Sequence, residues 1–273
     1  MKSVQNIGLM MTYNEEDMIE EVMTENRRYF DKVYVLDGST DKTESILRSF
    51  DHVVYLIKDQ DLRPKRRVQD GARQFLLEKA QEDCGTEGWF TILHGDEIMV
   101  DNPNTIVERA EKSGAEKVNW HSLNFFLHTS QKNQVFSDRQ SMQSQLPFYQ
   151  PGSLEIRQFK NKPGLFYNIN RGSCVLPYGI GHRMLWDFPI FKHYVVRSVK
   201  QLQSRPLSGF AYQAIDKSDE IVTLQSHEIF KEKLYSDLKQ VRKYEGHFEE
   251  FEPGNRPPFI LQWLNWYRYK GKA

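Results

Sequence analysis

The sequence predicts a three-layer α/β/α sandwich of the Rossmann type, built on a mostly parallel sheet and followed by a region of mixed strands and helices. Three observations predict it. Short apolar runs alternate with helix-period stretches four times before residue 111, the alternation that parallel strands with right-handed crossovers require. The first, second and fourth runs break off abruptly in polar residues, and open α/β sheets hold ligands just beyond the carboxyl ends of their strands. Past residue 117 the apolar runs shorten and are interrupted by Gly and Pro, which suits the strands of a mixed sheet.

Taken in order, residues 4–11 form the first strand and lead into Thr12 and Tyr13. Asn14 is placed to cap the next helix, with Glu15, Glu16 and Asp17 where acids favour the positive end of its dipole. Ile19, Val22, Met23 and Phe30 then recur at helical spacing. Val33-Tyr34-Val35-Leu36 is the second strand, ending in Asp37-Gly38-Ser39-Thr40. Asp41 and Glu44 have the spacing of a capping box before a helix carrying Ile46, Leu47 and Phe50. Residues 53–57 make the third strand. A basic knot, Arg63-Pro64-Lys65-Arg66-Arg67, precedes a helix with Val68, Ala72, Phe75, Leu76 and Ala80 on one face. The fourth strand, Trp89-Phe90-Thr91-Ile92-Leu93, spills into His94-Gly95-Asp96-Glu97. Asn102-Pro103 opens the next helix, because proline suits the first helical position. Residues 118–127 alternate as a strand, 128–153 read as a polar loop and 154–196 as short strands. Residues 197–204 and 226–247 read as helices.

Composition narrows the function. Lys plus Arg and Asp plus Glu both number 37, a balance that argues against an extended nucleic-acid surface. The two cysteines have no metal-site spacing, so a reducing cytoplasm is the expected compartment. No signal-peptide core and no run of about eighteen apolar residues occurs, so no spanning helix is expected. Aromatics reach 13%, and such rings stack on sugars and bases as well as filling cores. The tail from Pro257 to Lys270 is aromatic and ends basic. It has the composition either to lie on a membrane surface or to pack on the sheet as a terminal helix, and packing is the expectation.

The strand-tip clusters carry the chemistry. Asp37 can accept bonds from a ribose diol or a base N–H, or serve only as a turn residue. Ser39 belongs to a turn whose backbone donors suit anionic groups. Asp96 and its neighbours offer oxygen and nitrogen ligands to a hard cation, which would in turn hold phosphates.

Residues 12–15 after the first strand, the run from Asp37 to Thr43 after the second, Ala72-Arg73-Gln74 on a helix and His94-Gly95-Asp96-Glu97 after the fourth together resemble family 2 glycosyltransferases of the GT-A fold. The resemblance covers residues 4–110 well and thins beyond. It implies a nucleotide-sugar-binding half over residues 1–116 and an acceptor-binding half with C-terminal helices over 117–273. By this resemblance Thr12, Tyr13, Asn14 and Glu15 line the nucleotide pocket, Asp37 contacts uracil or ribose, and Arg73 enters the same pocket. Leu36 stands where the family has the first acid of Asp-Asp-Gly-Ser. His94-Gly95-Asp96 aligns with the Asp-x-Asp metal motif, with histidine in place of its first acid, a softer ligand than magnesium prefers. The implied reaction moves a sugar from a nucleotide diphosphate sugar, UDP-linked by expectation, to an acceptor hydroxyl. Inversion and assistance by Mn2+ or Mg2+ are expected.

Such a transfer needs an acceptor base and a stabilised diphosphate leaving group. Arg67 is the member of the basic knot named to clamp the diphosphate, since guanidinium binds phosphate bidentately. His193, in a stretch resembling the late His-Tyr-x-x-Arg-Ser of some family members, is expected to join Asp96 on the metal. Glu155 and Asp187 are both candidates for the base, Glu155 first. Glu97 is expected to orient the metal shell or sugar hydroxyls. Two other readings stay open: a nucleotidyltransferase on a related sheet, and a non-catalytic sugar- or nucleotide-binding module, which His94 keeps alive.

Overall fold

A computed structural model describes residues 5–56, 69–126, 140–168, 176–194, 242–246 and 248. The amino-terminal half alternates as expected: β1 (Asn6–Thr12), α1 (Ile19–Asn26), β2 (Val33–Asp37), α2 (Thr43–Leu47), β3 (Val53–Leu56), α3 (Gln69–Cys84), β4 (Trp89–His94) and α4 (Pro103–Ser113). A short β5 (Glu97–Met99) precedes α4. The remaining described elements are a 3-10 turn after α1 (Arg27–Tyr29), β6 (Lys117–Phe126), α5 (Met142–Gln145), β7 (Phe148–Lys160), β8 (Met184–Leu185), β9 (Ile190–Tyr194) and β10 (Arg242–Lys243). One curled sheet takes the strands in the order β3-β2-β1-β4-β7-β6-β9-β5, with β10 paired to β7 and β8 to β6 off this path. Strands β3, β2, β1 and β4 run parallel, β7 is antiparallel to both β4 and β6, and β9 is parallel to β6.

Strand alternation builds the three layers. Met10, Val33, Val35, Trp89 and Leu93 face α1, α2 and α4, where Ile19, Val22, Met23, Leu47, Ile106, Val107 and Ala110 complete a core. Ile7, Leu9, Tyr34, Leu36, Phe90 and Ile92 face the other way onto Ala72, Leu76, Leu77 and Ala80 of α3. Successive side chains of a strand point to opposite faces, so runs that are apolar throughout are what a sheet covered on both sides demands.

Several local expectations change. Asn14 does not cap α1, which begins at Ile19. Asn14 instead adopts a left-handed backbone with φ 53°, a conformation asparagine tolerates better than most residues. Asp41 does bond at the start of α2, accepting from Thr43 N at 3.0 Å. Asn102 caps α4 as expected, accepting from Asn104 N at 2.9 Å. Residues 148–153, read as loop, belong to the 13-residue β7. Its Pro151 and Gly152 disguise the strand, and Gly152 is needed because a Cβ there would lie 2.2 Å from Ser122 Oγ. Within the helix read over 226–247, Arg242 and Lys243 are instead a short strand, Arg242 pairing with Tyr149 of β7. The earlier part of that stretch, the helix read over 197–204, the basic knot with Arg67 and the aromatic tail lie outside the described residues. No helix among the described residues is long and apolar enough to cross a membrane.

Candidate active site

Register sets the site. Thr12 pairs with Asp37 and Met11 with His94, so the carboxyl ends of β2, β1 and β4 lie side by side. The chain reverses its direction of travel across the sheet between β1 and β4, and this switch point is where open α/β sheets bind ligands.

Two loops beside it are laced together. Asp37 is buried, and its Oδ1 accepts from Thr12 Oγ1 at 2.9 Å, from Ser39 N at 3.0 Å and from Ser39 Oγ. Its Oδ2 accepts from Tyr55 OH at 3.0 Å. Burial pushes the Tyr55 phenol up, and the Asp37 carboxylate adds to the shift. Asn14 N donates to Ser39 Oγ at 2.7 Å, and Asn14 Oδ1 accepts from Thr40 N at 2.8 Å. Glu15 N donates to Thr43 Oγ1 at 2.8 Å. Asp37 thus orders the turn it sits in, and Asn14 ties that turn to the loop after β1.

The turn between β4 and β5 gathers charge. His94, Asp96 and Glu97 hold ligand atoms within 4.8 Å of one another. Glu97 is fully buried; its Oε1 accepts from Arg157 Nη2 and lies 3.1 Å from His94 Nδ1, while its Oε2 has no hydrogen-bond partner among the described residues. Burial pushes the Glu97 carboxyl up, but the Arg157 guanidinium and the His94 ring outweigh it and hold the group below the ordinary carboxylate value. Glu97 pairs in register with His193 across β5 and β9, and Tyr194 N donates to Asp96 O at 2.9 Å. That pairing brings His193 Nε2 within 3.7 Å of Asp96 Oδ2. Burial opposes charge on His193, but Asp96 and Glu97 prevail and raise its pKa. Gly95 is required in the turn, because a Cβ there would lie 2.7 Å from Glu15 Cγ.

The profile of glycosyl transferase family 2 matches residues 9–194, from the first strand to the end of the β9 pairing with the charged turn. The chain belongs to glycosyl transferase family 2. Comparison with curated proteins gives no match. Among solved structures, the chain is similar to a protein described as a glucose-1-phosphate thymidylyltransferase from Bacillus anthracis, at 11% identity and a TM-score of 0.31, covering 45% of this chain and 56% of that one. It is also similar to a 4-diphosphocytidyl-2C-methyl-D-erythritol synthase from Anaerococcus prevotii, at 9% identity and a TM-score of 0.33, covering 58% of this chain and 70% of that one.

In this family 2 domain the expected site residues separate into groups. Thr12, Tyr13, Asn14, Glu15, Asp37 and Ser39 line the laced loops, and His94, Gly95, Asp96, Glu97 and His193 form the charged turn. Arg73 lines a small cleft with Met11, His94 and Tyr167 on the α3 side. Glu155 reaches the charged turn through Arg157, whose Nη2 lies 2.7 Å from Glu155 Oε2. Asp187 is not brought there. It pairs with Arg109 of α4 at 2.6 Å and precedes β9 at the end opposite His193.

Two residues went unflagged in the sequence. Arg157, 2% exposed on β7, joins Glu97 to Glu155. Asn26, buried at the end of α1, donates to Glu97 O at 2.9 Å and accepts from Met99 N at 3.0 Å, pinning β5 as a neighbouring strand would. Arg157 sits among Glu155, Gln158 and Lys160, so nothing local distinguished it from the other polar residues of the strand. Asn26 had no signal either.

Proposed function

We propose that this family 2 domain transfers a sugar from a UDP-sugar to an acceptor hydroxyl with inversion, assisted by Mn2+ or Mg2+. The observation that carries the reading is the charged turn at the switch point: Asp96 and the buried, unpartnered Oε2 of Glu97 stand together beside the laced loops. An orphaned buried carboxylate oxygen next to a second carboxylate fits a hard divalent cation. Asp96, Glu97 and His193 would hold that cation, which when bound neutralises charge developing on the leaving diphosphate.

The chain's own residues supply the rest. The loop of Thr12, Tyr13, Asn14 and Glu15 and the turn of Asp37 and Ser39 bind the nucleotide. Their mutual bonds hold backbone donors in place before the ligand arrives, which limits the ordering cost of binding. Arg73 reaches the same crevice from α3, and Arg67 is proposed as the diphosphate clamp. Glu155 is proposed as the base that takes the acceptor proton, because its pairing with Arg157 keeps it beside the charged turn, whereas Asp187 lies with Arg109 at the other end of β9. The two-half division, with residues 117–273 binding the acceptor, belongs to the same reading, as does a cytoplasmic location.

The test is a UDP-release assay over a panel of UDP-sugars with Mn2+ or Mg2+, comparing wild type with Asp96→Ala. Loss of release in the variant supports the reading; equal rates in the two proteins remove the metal-assisted mechanism. A non-catalytic binding module is the second reading, favoured by the engagement of both His94 nitrogens within the protein. Calorimetry showing metal-independent UDP binding, with no release from any donor, would select it.

A further inference from the structure

We infer that Arg157 is a resident cation of the charged turn: it holds His94 and one oxygen of Glu97 away from a divalent metal and so sets how tightly the metal binds. The inference deepens the metal-assisted reading and rests on it for its functional meaning.

Hydrogen-bonding capacities lead to it. A carboxylate only accepts, so the contact at 3.1 Å between His94 Nδ1 and Glu97 Oε1 places a proton on Nδ1. Arg157 Nη1 lies 3.4 Å from His94 Nε2, and a guanidinium only donates, so Nε2 presents its lone pair to Arg157. Neither ring nitrogen is then open to a metal. Glu97 Oε1 already receives Arg157 and His94, leaving Oε2 alone for coordination. The histidine standing at the first position of the metal motif is therefore a link in a closed Arg157–His94–Glu97 ring of contacts.

Burial makes this arrangement firm. Arg157 is 2% exposed and lies 5.0 Å over the Phe191 ring, so its guanidinium cannot swing into solvent without leaving two carboxylates behind. A buried charge of this kind persists only with its partners. The charge count matches the role: Arg157 pairs with Glu97 and Glu155, while Asp96 stands beside His193. Three carboxylates around one guanidinium and the His193 ring leave room for a divalent cation, and the guanidinium decides which atoms of Glu97 and His94 remain for it. Groups just behind a metal's ligands ordinarily tune its affinity by about 10–100-fold.

Mn2+ binding to the full chain, followed by the paramagnetic resonance signal of the free ion, tests the inference in wild type, Arg157→Lys and Arg157→Met. Arg157→Met should bind Mn2+ about tenfold more tightly, because His94 Nε2 and Glu97 Oε1 are released, while UDP release slows because both side chains lose their orientation. Arg157→Lys keeps the charge but cannot reach both partners, and should bind about threefold more tightly. If the Met variant does not fold, the Lys variant decides alone. A residue needed only for folding would not raise metal affinity, so affinities equal to or weaker than wild type overturn the inference. Binding in the variants but not in wild type would keep the inference and sink the metal-assisted reading. Equal binding in all three would do the reverse.

Discussion

The laced loops at the tips of β1 and β2 and the charged turn at the tip of β4 lie side by side, yet they satisfy their polar groups in opposite ways. In the loops every oxygen of Asp37 has a donor, and Asn14, Ser39 and Thr40 close on one another. In the turn Glu97 Oε2 and Arg157 Nε are buried without hydrogen-bond partners among the described residues, and charges outnumber neutral donors. The first region is finished without a ligand and works as a rigid wall. The second holds stored electrostatic capacity, which is what a cation and a leaving group can draw on.

The contrast is broken most directly at Asp96. Asp96→Ala should cut UDP release by roughly a thousandfold with only a modest fall in melting temperature from the lost contact with His193, since Tyr194 N still donates to the backbone oxygen of residue 96. A large fall in melting temperature would mean that the turn is structural like the loops.

Next in size is the support behind the turn. Asn26→Ala strands Glu97 O and Met99 N in a buried place, and urea denaturation should show a loss of about 2–4 kcal/mol. A loss under half a kcal/mol would show that water replaces the amide.

Lys192 sharpens the comparison, because it is a second buried cation among the described residues, on the face of β9 opposite His193, donating to Gln143 Oε1 amid rings where Arg157 meets carboxylates. Its Nζ lies 4.5 Å from the Tyr244 ring centre and 5.9 Å from those of Phe125 and Phe248. Burial pushes its pKa down to about 8, against the pull of Glu25 and Glu21. The unfolded chain titrates this group near 10.4, so between these values the unfolded state binds more protons and stability rises with pH. The penalty is complete below pH 8. Lys192→Met should therefore be more stable than wild type by ~1–3 kcal/mol at pH 7, with the advantage shrinking toward pH 10 in urea melts. A difference that ignores pH would place the proton elsewhere.

The smallest effect belongs to the finished wall. Thr12→Val removes one of several donors to Asp37, and thermal melts should register about 1 kcal/mol. UDP affinity measured by calorimetry should fall only a few-fold, because Ser39 and Tyr55 still hold the carboxylate.

Legibility followed chain distance. The alternation up to α4, the acidic spill after Leu93 and the pairing of Asn102 with Pro103 are local patterns, and the structure reproduces them. β7 was misread because its Pro151 and Gly152 carry the local signature of a turn, while its pairing with β6 supplies the stability that local propensity lacks. Asn14 was read as a cap because its neighbours are acidic; its bond to Thr40, 26 residues away, gives it another task.

By itself the sequence determined the covered parallel sheet, the strand tips that bear polar clusters, and Asp96 and Glu97 as the acids at the fourth tip, because apolar runs and their abrupt ends are written in adjacent residues. Only the tertiary structure decided that Arg157 closes a ring with His94 and Glu97, that Asn26 holds β5, and that Glu155 rather than Asp187 stands near the turn. Those contacts join residues many positions apart in the chain, and a buried charge reveals its partners only once the fold has removed the water that would otherwise satisfy it.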